Sequence, residues 1–246
     1  MKIIVNGASG AMGTVLCDLI SESEKHELVA KVSFDLSTDV ASHVYQNFNE
    51  VQEQSDCVID FSNHLGTAAL LEFCTKKNMP VIIATTGQTD EEMQMIKQAS
   101  ESIPVFYSAN MSLGVALVAC LAKIAAKTFE DADIEIIEKH HNRKLDSPSG
   151  TALLLADAIK TVKTDATYNV GRSSYGKRAK NEIGIHAVRM GNVVGEHEII
   201  FNMGTQSISI KHEASSRNLF AEGAVRAGEF LVGQGAGLYC MDDILD

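Results

Sequence analysis

The sequence predicts an α/β protein: a doubly wound parallel sheet domain, plus a second α+β domain with a mainly antiparallel or mixed sheet. Three observations predict it. The turn Gly7-Ala8-Ser9-Gly10-Ala11-Met12-Gly13 directly follows a short apolar strand and directly precedes a helical pattern. Strand and helix patterns then alternate as far as about Asn110. Beyond it come a long apolar helix and β segments joined by short glycine turns.

Residues 2–6 (KIIVN) form the first strand, and Val15, Leu16, Leu19 and Ile20 recur at helical spacing behind the glycine turn. Leu28 to Ser33 is a second strand and Cys57 to Phe61 a third; residues 36–55 between them are polar with scattered apolar positions. A helix over roughly 66–78 leads to a fourth buried strand at 80–84, broken by Thr85-Thr86-Gly87. Thr89, followed by Asp90, Glu91 and Glu92, starts a helix with acidic residues at the positive end of its dipole. Residues 103–107 (IPVFY) complete five strands. Such alternation implies right-handed βαβ crossovers, hence a Rossmann-type sheet with helices on both faces.

Residues 113–129 are apolar nearly all round, so this helix is expected to be buried between domains or subunits. Residues 134–139 form a strand, and a helix over 149–162 opens after Pro148. Residues 183–212 read as three antiparallel β segments with turns at Met190-Gly191-Asn192 and Met203-Gly204-Thr205. Residues 163–182 are polar, basic and aperiodic, which reads as a mobile loop. Residues 218–232 return to a helix.

A chain of 246 residues, 45% hydrophobic and 22% charged, has room for two domains with sizeable cores. Its net charge of -11 argues against nucleic acid and anionic membrane as partners, since both require basic surface. The sign reverses locally, where Lys139, His140, His141, Arg143 and Lys144 stand within six positions. Cys17, Cys57, Cys74, Cys120 and Cys240 are widely spaced and lack a CxxC pair, so they read as thiols of a reducing cytosol. The apolar start is broken by glycine after six residues, too short for an export signal or a membrane span. A cytoplasmic location is therefore expected.

The GxxGxxG spacing lets the backbone turn tightly and approach a pyrophosphate, whose charge then rests on the N–H groups of the following helix. Gly7, Ala8, Ser9, Gly10, Ala11, Met12 and Gly13 are candidates for that contact. An acidic residue closing the second strand would hold the adenine ribose, but Ser33 and Phe34 stand there. Asp35 follows, as a ribose ligand or as a solvated turn residue. No arginine stands in the glycine loop to hold a 2′-phosphate, so the choice between NADH and NADPH stays open.

The richest segment runs Glu138-Lys139-His140-His141-Asn142-Arg143-Lys144-Leu145-Asp146-Ser147-Pro148-Ser149-Gly150-Thr151-Ala152. On charge pattern alone its basic run would be a solvated patch. The spacing to the helix start changes that: Lys144, His141 and the N–H groups near Gly150-Thr151 make a compact anion site. His140 and Lys144 are the groups of this run that can hand on a proton. At every fixed position the segment resembles E-x-H-H-x-x-K-x-D-x-P-S-G-T-A, the signature of the 4-hydroxy-tetrahydrodipicolinate reductase (dihydrodipicolinate reductase) family. Asp60-Phe61-Ser62, Thr85-Thr86-Gly87, Asn110-Met111-Ser112, Val194-Gly195-Glu196-His197 and His212–Arg217 are family-like as well.

The resemblance implies reduction of 4-hydroxy-tetrahydrodipicolinate with NADH or NADPH in the diaminopimelate route of lysine biosynthesis. It gives proton donation to His140 and Lys144 and substrate binding to His141, Gly150 and Thr151. It places Ala84, Thr85, Thr86, Ser108, Ala109, Asn110 and Met111 at the nicotinamide end of the cofactor, and implies a homotetramer built through the second domain's sheet. The sequence departs from the family where Ala84 replaces glycine, His64 replaces proline, and Ser108-Ala109-Asn110 replaces A-P-N. The expected division is a dinucleotide-binding domain of residues 1–111 and 219–246, and a substrate-binding and oligomerisation domain of residues 112–218. Hinges near 110–112 and 216–219 would let the two close on their ligands.

Two alternatives stay open at this level: a dehydrogenase of another small carboxylate or imine, and a non-catalytic NAD(H)-binding sensor. No metal is expected, because adjacent His140 and His141 point to opposite faces of a strand and no carboxylate or cysteine stands at ligand spacing. His186, His197 and His212 read as hydrogen-bonded structural residues.

Overall fold

The structure, a computed structural model, describes residues 1–33 and 43–245. In chain order it begins with β1 (Lys2–Asn6), α1 (Ala11–Ser21), β2 (Glu27–Val32), β3 (Val44–Tyr45), β4 (Cys57–Asp60), α2 (Thr67–Lys77), β5 (Val81–Ile83), α3 (Asp90–Ser100) and β6 (Pro104–Tyr107). There follow α4 (Leu113–Thr128), β7 (Asp133–His140), α5 (Gly150–Lys160), β8 (Thr167–Val170), β9 (Glu182–Arg189), β10 (Gly195–Asn202), β11 (Ser207–Ala214), α6 (Asn218–Leu231) and β12 (Gly237–Tyr239). The chain forms two compact units, one of Met1–Ser112 with Asn218–Asp246, the other of Leu113–Arg217. Among the described residues no helix is long and apolar enough to cross a membrane.

The first unit holds a seven-stranded sheet in the order β12-β6-β5-β4-β1-β2-β3, every pairing parallel. Ile3, Ile4 and Val5 of β1 and Cys57, Val58 and Ile59 of β4 are 0% exposed, because central parallel strands are covered on both faces. That is why they read as unbroken apolar runs. The strand order reverses between β1 and β4, so the crevice outside their C-terminal ends is the switch point where such sheets bind ligands. α3 opens with a capping box: the Thr89 hydroxyl accepts from Glu92 N at 3.2 Å and the Glu92 carboxylate accepts from Thr89 N at 2.8 Å. Such a cap stabilises a helix by about 1 kcal/mol. β3 leaves no mark in the sequence, since two residues in a polar stretch carry no periodicity; Lys31 N to His43 O and Ser33 N to Tyr45 O, both 2.9 Å, hold it to β2.

The second unit is a five-stranded mixed sheet in the order β11-β10-β7-β9-β8. β10 runs antiparallel to β11 and to β7, whereas β9 runs parallel to β7 and to β8. Of the three antiparallel segments expected over 183–212, β10 and β11 pair as expected through the Met203-Gly204-Thr205 turn, but β9 does not join them, because β7 lies between β9 and β10. Met190 N donates to His140 O at 2.8 Å and Asn142 N to Gly191 O at 3.2 Å, so the Met190-Gly191-Asn192 turn wraps the end of β7 instead of closing a hairpin. The segment 163–182, expected as a mobile loop, contains β8 and is fastened by Arg178, which donates to Ile134 O at 2.8 Å and Glu182 O at 2.7 Å. α4 packs on α5, β10 and β11 through Val115, Val118, Ala119, Ala122 and Ala126. Its other face, Leu117, Leu121 and Ile124, is 48%, 41% and 56% exposed, so burial covers one face only in the chain.

Candidate active site

In the first unit β1 ends at Asn6, and Gly7 turns the chain with φ +78°, a conformation that side chains rarely adopt. Gly7 N donates to Val32 O at 2.9 Å and Gly10 N to Gly7 O at 3.0 Å. A Cβ at Gly13 would overlap the Gly7 carbonyl oxygen, so the first turn of α1 sits directly on the loop. No side chain caps α1, and Ser9, Gly10 and Ala11 are exposed, which leaves the positive helix end open to an anion. Gly10, Ala11 and Met12 line a cavity of about 470 Å³ together with Phe61, Ser62, Asn63, Ala84, Thr85, Thr86, Ala109, Asn110, Met111 and Phe220. It lies outside the C-terminal ends of β1, β4, β5 and β6. The glycine turn, the uncapped helix and a lining drawn from four strand ends fit a nicotinamide dinucleotide.

Gly7, Ala8 and Gly13 build the turn without lining the cavity. Ser9 meets buried Ser33 hydroxyl to hydroxyl at the end of β2, and the Ser108 hydroxyl donates to Asn110 O at 2.7 Å. Asp35, with Phe34, lies outside the described residues. Beneath the cavity the Asp60 carboxylate, 3% exposed, accepts from Asn6 Nδ2 at 2.8 Å and Ser62 Oγ at 2.5 Å, while Ser62 N donates to Thr85 Oγ1 at 2.9 Å. These bonds tie together the ends of β1, β4 and β5, and burial raises the Asp60 carboxyl above its ordinary value. Sequence reasoning gave no cofactor role to Phe61, Ser62, Asn63 or Phe220, although Phe61 and Ser62 stand in a family-like stretch. The first three follow β4, where the rule that parallel sheets bind ligands at their strand ends reaches them; the residues after β5 and β6 were placed by the family resemblance alone. Phe220 comes from α6 and carries no local signal.

In the second unit the alternation of β7 puts Ile134, Ile136, Glu138 and His140 on its buried face. The first two join the hydrophobic core; the last two bring ionisable groups to the end of the same face. Glu138 is 0% exposed and accepts from Arg189 Nη1 and Nη2, both at 2.7 Å, from His140 Nδ1 at 2.6 Å and from Ser149 N at 3.0 Å. Burial alone would raise its carboxyl, but Arg189, His140 and the Ser149 N–H outweigh it and hold the group below the usual range. His197, in register with Glu138 on β10, meets the His140 ring edge to face with centroids 5.2 Å apart. Burial brings its pKa down to about 4, and its Nε2 lies 3.0 Å from Ser149 Oγ. The Ser149 hydroxyl also accepts from Ala152 N at 3.2 Å, capping α5, whose first residues are Gly150 and Thr151.

His141 and Lys144 come from the turn between β7 and α5. Lys144 N donates to His141 O at 3.2 Å, and Lys144 Nζ lies 2.8 Å from Asp146 Oδ1. Desolvation, then the charges of Arg143 and Arg217, lower the His141 imidazole below its usual value, which favours a neutral donor within a positive field. His140, His141, Lys144, Gly150 and Thr151 thus belong to one strand end, one turn and one helix start. Sequence reasoning gave no role to Glu138 or Arg189 and read His197 as structural. The signal for Glu138 and His197 lay in the period of two, since they fall on the faces of Ile136 and Ile199, which are apolar.

A cleft behind a glycine turn at a parallel-sheet switch point, with two histidines, a lysine and a helix start gathered in a second unit, is the arrangement of a nicotinamide-dependent oxidoreductase. Residues 1–111 match the family model described as dihydrodipicolinate reductase, N-terminus, and residues 114–245 that of its C-terminus. The chain belongs to the dihydrodipicolinate reductase family. Among its relatives, the 4-hydroxy-tetrahydrodipicolinate reductase of Caldanaerobacter subterraneus subsp. tengcongensis is 47% identical, covering 100% of this chain and 98% of its own. That of Clostridium novyi is 44% identical, with 99% and 98% covered. A dipicolinate-bound dihydrodipicolinate reductase from a Paenisporosarcina species superposes with a TM-score of 0.83 at 25% identity over 99% of both chains. A probable dehydrogenase from Thermotoga maritima, 10% identical with a TM-score of 0.67 over 99% of this chain and 92% of its own, shares the fold.

Proposed function

We propose that the chain reduces 4-hydroxy-tetrahydrodipicolinate to tetrahydrodipicolinate with NADH or NADPH, in the diaminopimelate route of lysine biosynthesis. His140 and Lys144 serve as proton donors, and His141, Gly150 and Thr151 bind substrate. The observation that carries this reading is the convergence of His140 and the Ser149-capped start of α5 on one buried carboxylate, Glu138. The relatives' printed names support it, and the dipicolinate bound to the Paenisporosarcina enzyme is the kind of flat dianion such a site suits.

In the first unit the glycine turn and the start of α1 hold the cofactor's pyrophosphate, Ser33 and Asp35 its ribose end, and residues 84–86 and 108–111 its nicotinamide end. When bound, the nicotinamide supplies a hydride. In the second unit the substrate carboxylates are met by the N–H groups of Gly150 and Thr151, the Thr151 hydroxyl, His141, and Lys144 released from Asp146. Glu138 holds the Nδ1–H of His140, so Nε2 is the nitrogen that passes a proton on. Hydride and proton enter, one water leaves, and the cofactor is oxidised.

The reading extends to a cytoplasmic homotetramer assembled through the second unit's sheet. Support for assembly is the sheet face turned away from the core, where half-buried Ile137 and Ile200 and exposed Val188 interrupt the polar surface. Inhibition by dipicolinate tests the substrate site: it is expected to compete with substrate, with an inhibition constant about tenfold higher in Thr151→Val and His141→Ala. Equal inhibition of all three proteins contradicts the assignment.

A further inference from the structure

We propose that Glu138 is the positioning residue of this site, a single carboxylate that sets the tautomer of the proton donor and the placement of the substrate-binding helix start together. The proposal rests on the reading of His140, Gly150 and Thr151 given above. Each Glu138 oxygen serves both Arg189 and one element of the site: Oε2 accepts from Arg189 Nη1 and His140 Nδ1, Oε1 from Arg189 Nη2 and Ser149 N. An ionised carboxylate only accepts, so Nδ1 of His140 must carry hydrogen. In the neutral ring Nε2 is then the bare nitrogen that takes up and releases a proton.

The surroundings fit that assignment. Gly195 faces the Nε2 edge of the ring, and a Cβ there would stand 3.0 Å from Nε2, so glycine spares that edge a tight contact. On the other oxygen, the Ser149 N–H is fixed one residue before Gly150, while the Ser149 hydroxyl caps Ala152 N. The first N–H groups of α5 are therefore aimed by the same carboxylate that orients His140. Arg189 also donates to Asp146 O at 2.7 Å, which ties the Lys144–Asp146 turn to the assembly. A residue serving structure alone has a cheaper solution on the same face, where Ile134 and Ile136 fill the core without a buried charge.

The test combines one variant with one measurement on the unaltered chain. Glu138→Gln replaces an acceptor oxygen with a donor amide and removes the charge. It is expected to keep its circular dichroism and NAD(P)H affinity, to lower kcat at least about 100-fold and to raise the dipicolinate inhibition constant about tenfold. In wild-type protein labelled with ¹⁵N-histidine, long-range ¹⁵N–¹H correlation is expected to find the neutral His140 ring protonated on Nδ1. A folded Glu138→Gln with kcat within threefold of wild type overturns the proposal. So does an Nε2–H tautomer in wild type, which decides the matter even if the variant does not fold. If wild type fails to turn over the substrate at all, the functional reading falls, while the tautomer still judges Glu138.

Discussion

Lys144 Nζ and Asp146 Oδ1 stand 2.8 Å apart in the turn that joins β7 to α5, with the Lys144 side chain 22% exposed and that of Asp146 57% exposed. Exposed pairs of this kind stabilise a fold by only about 0.2–1 kcal/mol, because water screens them. Such a pair exchanges easily for a substrate carboxylate. Asp146→Asn is therefore expected to shift Tm by no more than about 2 °C and to tighten dipicolinate binding a few-fold by calorimetric titration. Weaker binding would mean that Asp146 aims Lys144 instead of competing for it.

His197 predicts a pH dependence of stability. Its folded pKa of about 4 lies below the usual imidazole value near 6.5, so the unfolded chain binds more protons between those limits. The stabilisation is complete above about pH 6.5 and is lost as pH falls through about 4, on the order of 3 kcal/mol. His141 and His212, also lowered, act in the same sense. His197→Gln is expected to flatten the fall in urea-unfolding free energy between pH 6.5 and 4 relative to wild type. An unchanged slope would count against a neutral, buried His197.

The glycine turn predicts a ranking. A Cβ at Gly13 overlaps the Gly7 carbonyl, whereas one at Gly10 would stand 3.2 Å from the same oxygen and needs only a small adjustment. Gly13→Ala should weaken NADH and NADPH binding, read by nicotinamide fluorescence, about tenfold or more, and Gly10→Ala by less. The reverse order would show that Gly10, at the exposed helix start, makes the closer approach to the cofactor.

Much of this was legible in the sequence, and the boundary is physical. β1, β4, β5 and β6 were visible because strands covered on both faces must be apolar throughout. β3 and β8 were not, being short and polar. Periodicity marked β9 and β10 as strands but says nothing about neighbours, so β7 entering between them was invisible. In the site, the spacing from His140 to Thr151 pointed to a strand end and a helix start close together. It could not show that Glu138 joins them, because Arg189 comes from another strand and turns a buried carboxylate from an unfavourable group into a fourfold acceptor.

The most direct measurement supplies the chain with its unstable substrate from a coupled synthase and follows nicotinamide absorbance with NADH and with NADPH, for wild type and Lys144→Met. Wild type is expected to oxidise at least one cofactor in a substrate-dependent manner, and Lys144→Met to retain cofactor binding while kcat falls at least about 100-fold. No oxidation of either cofactor by wild type, or a Lys144→Met rate within a few-fold of it, would contradict the account.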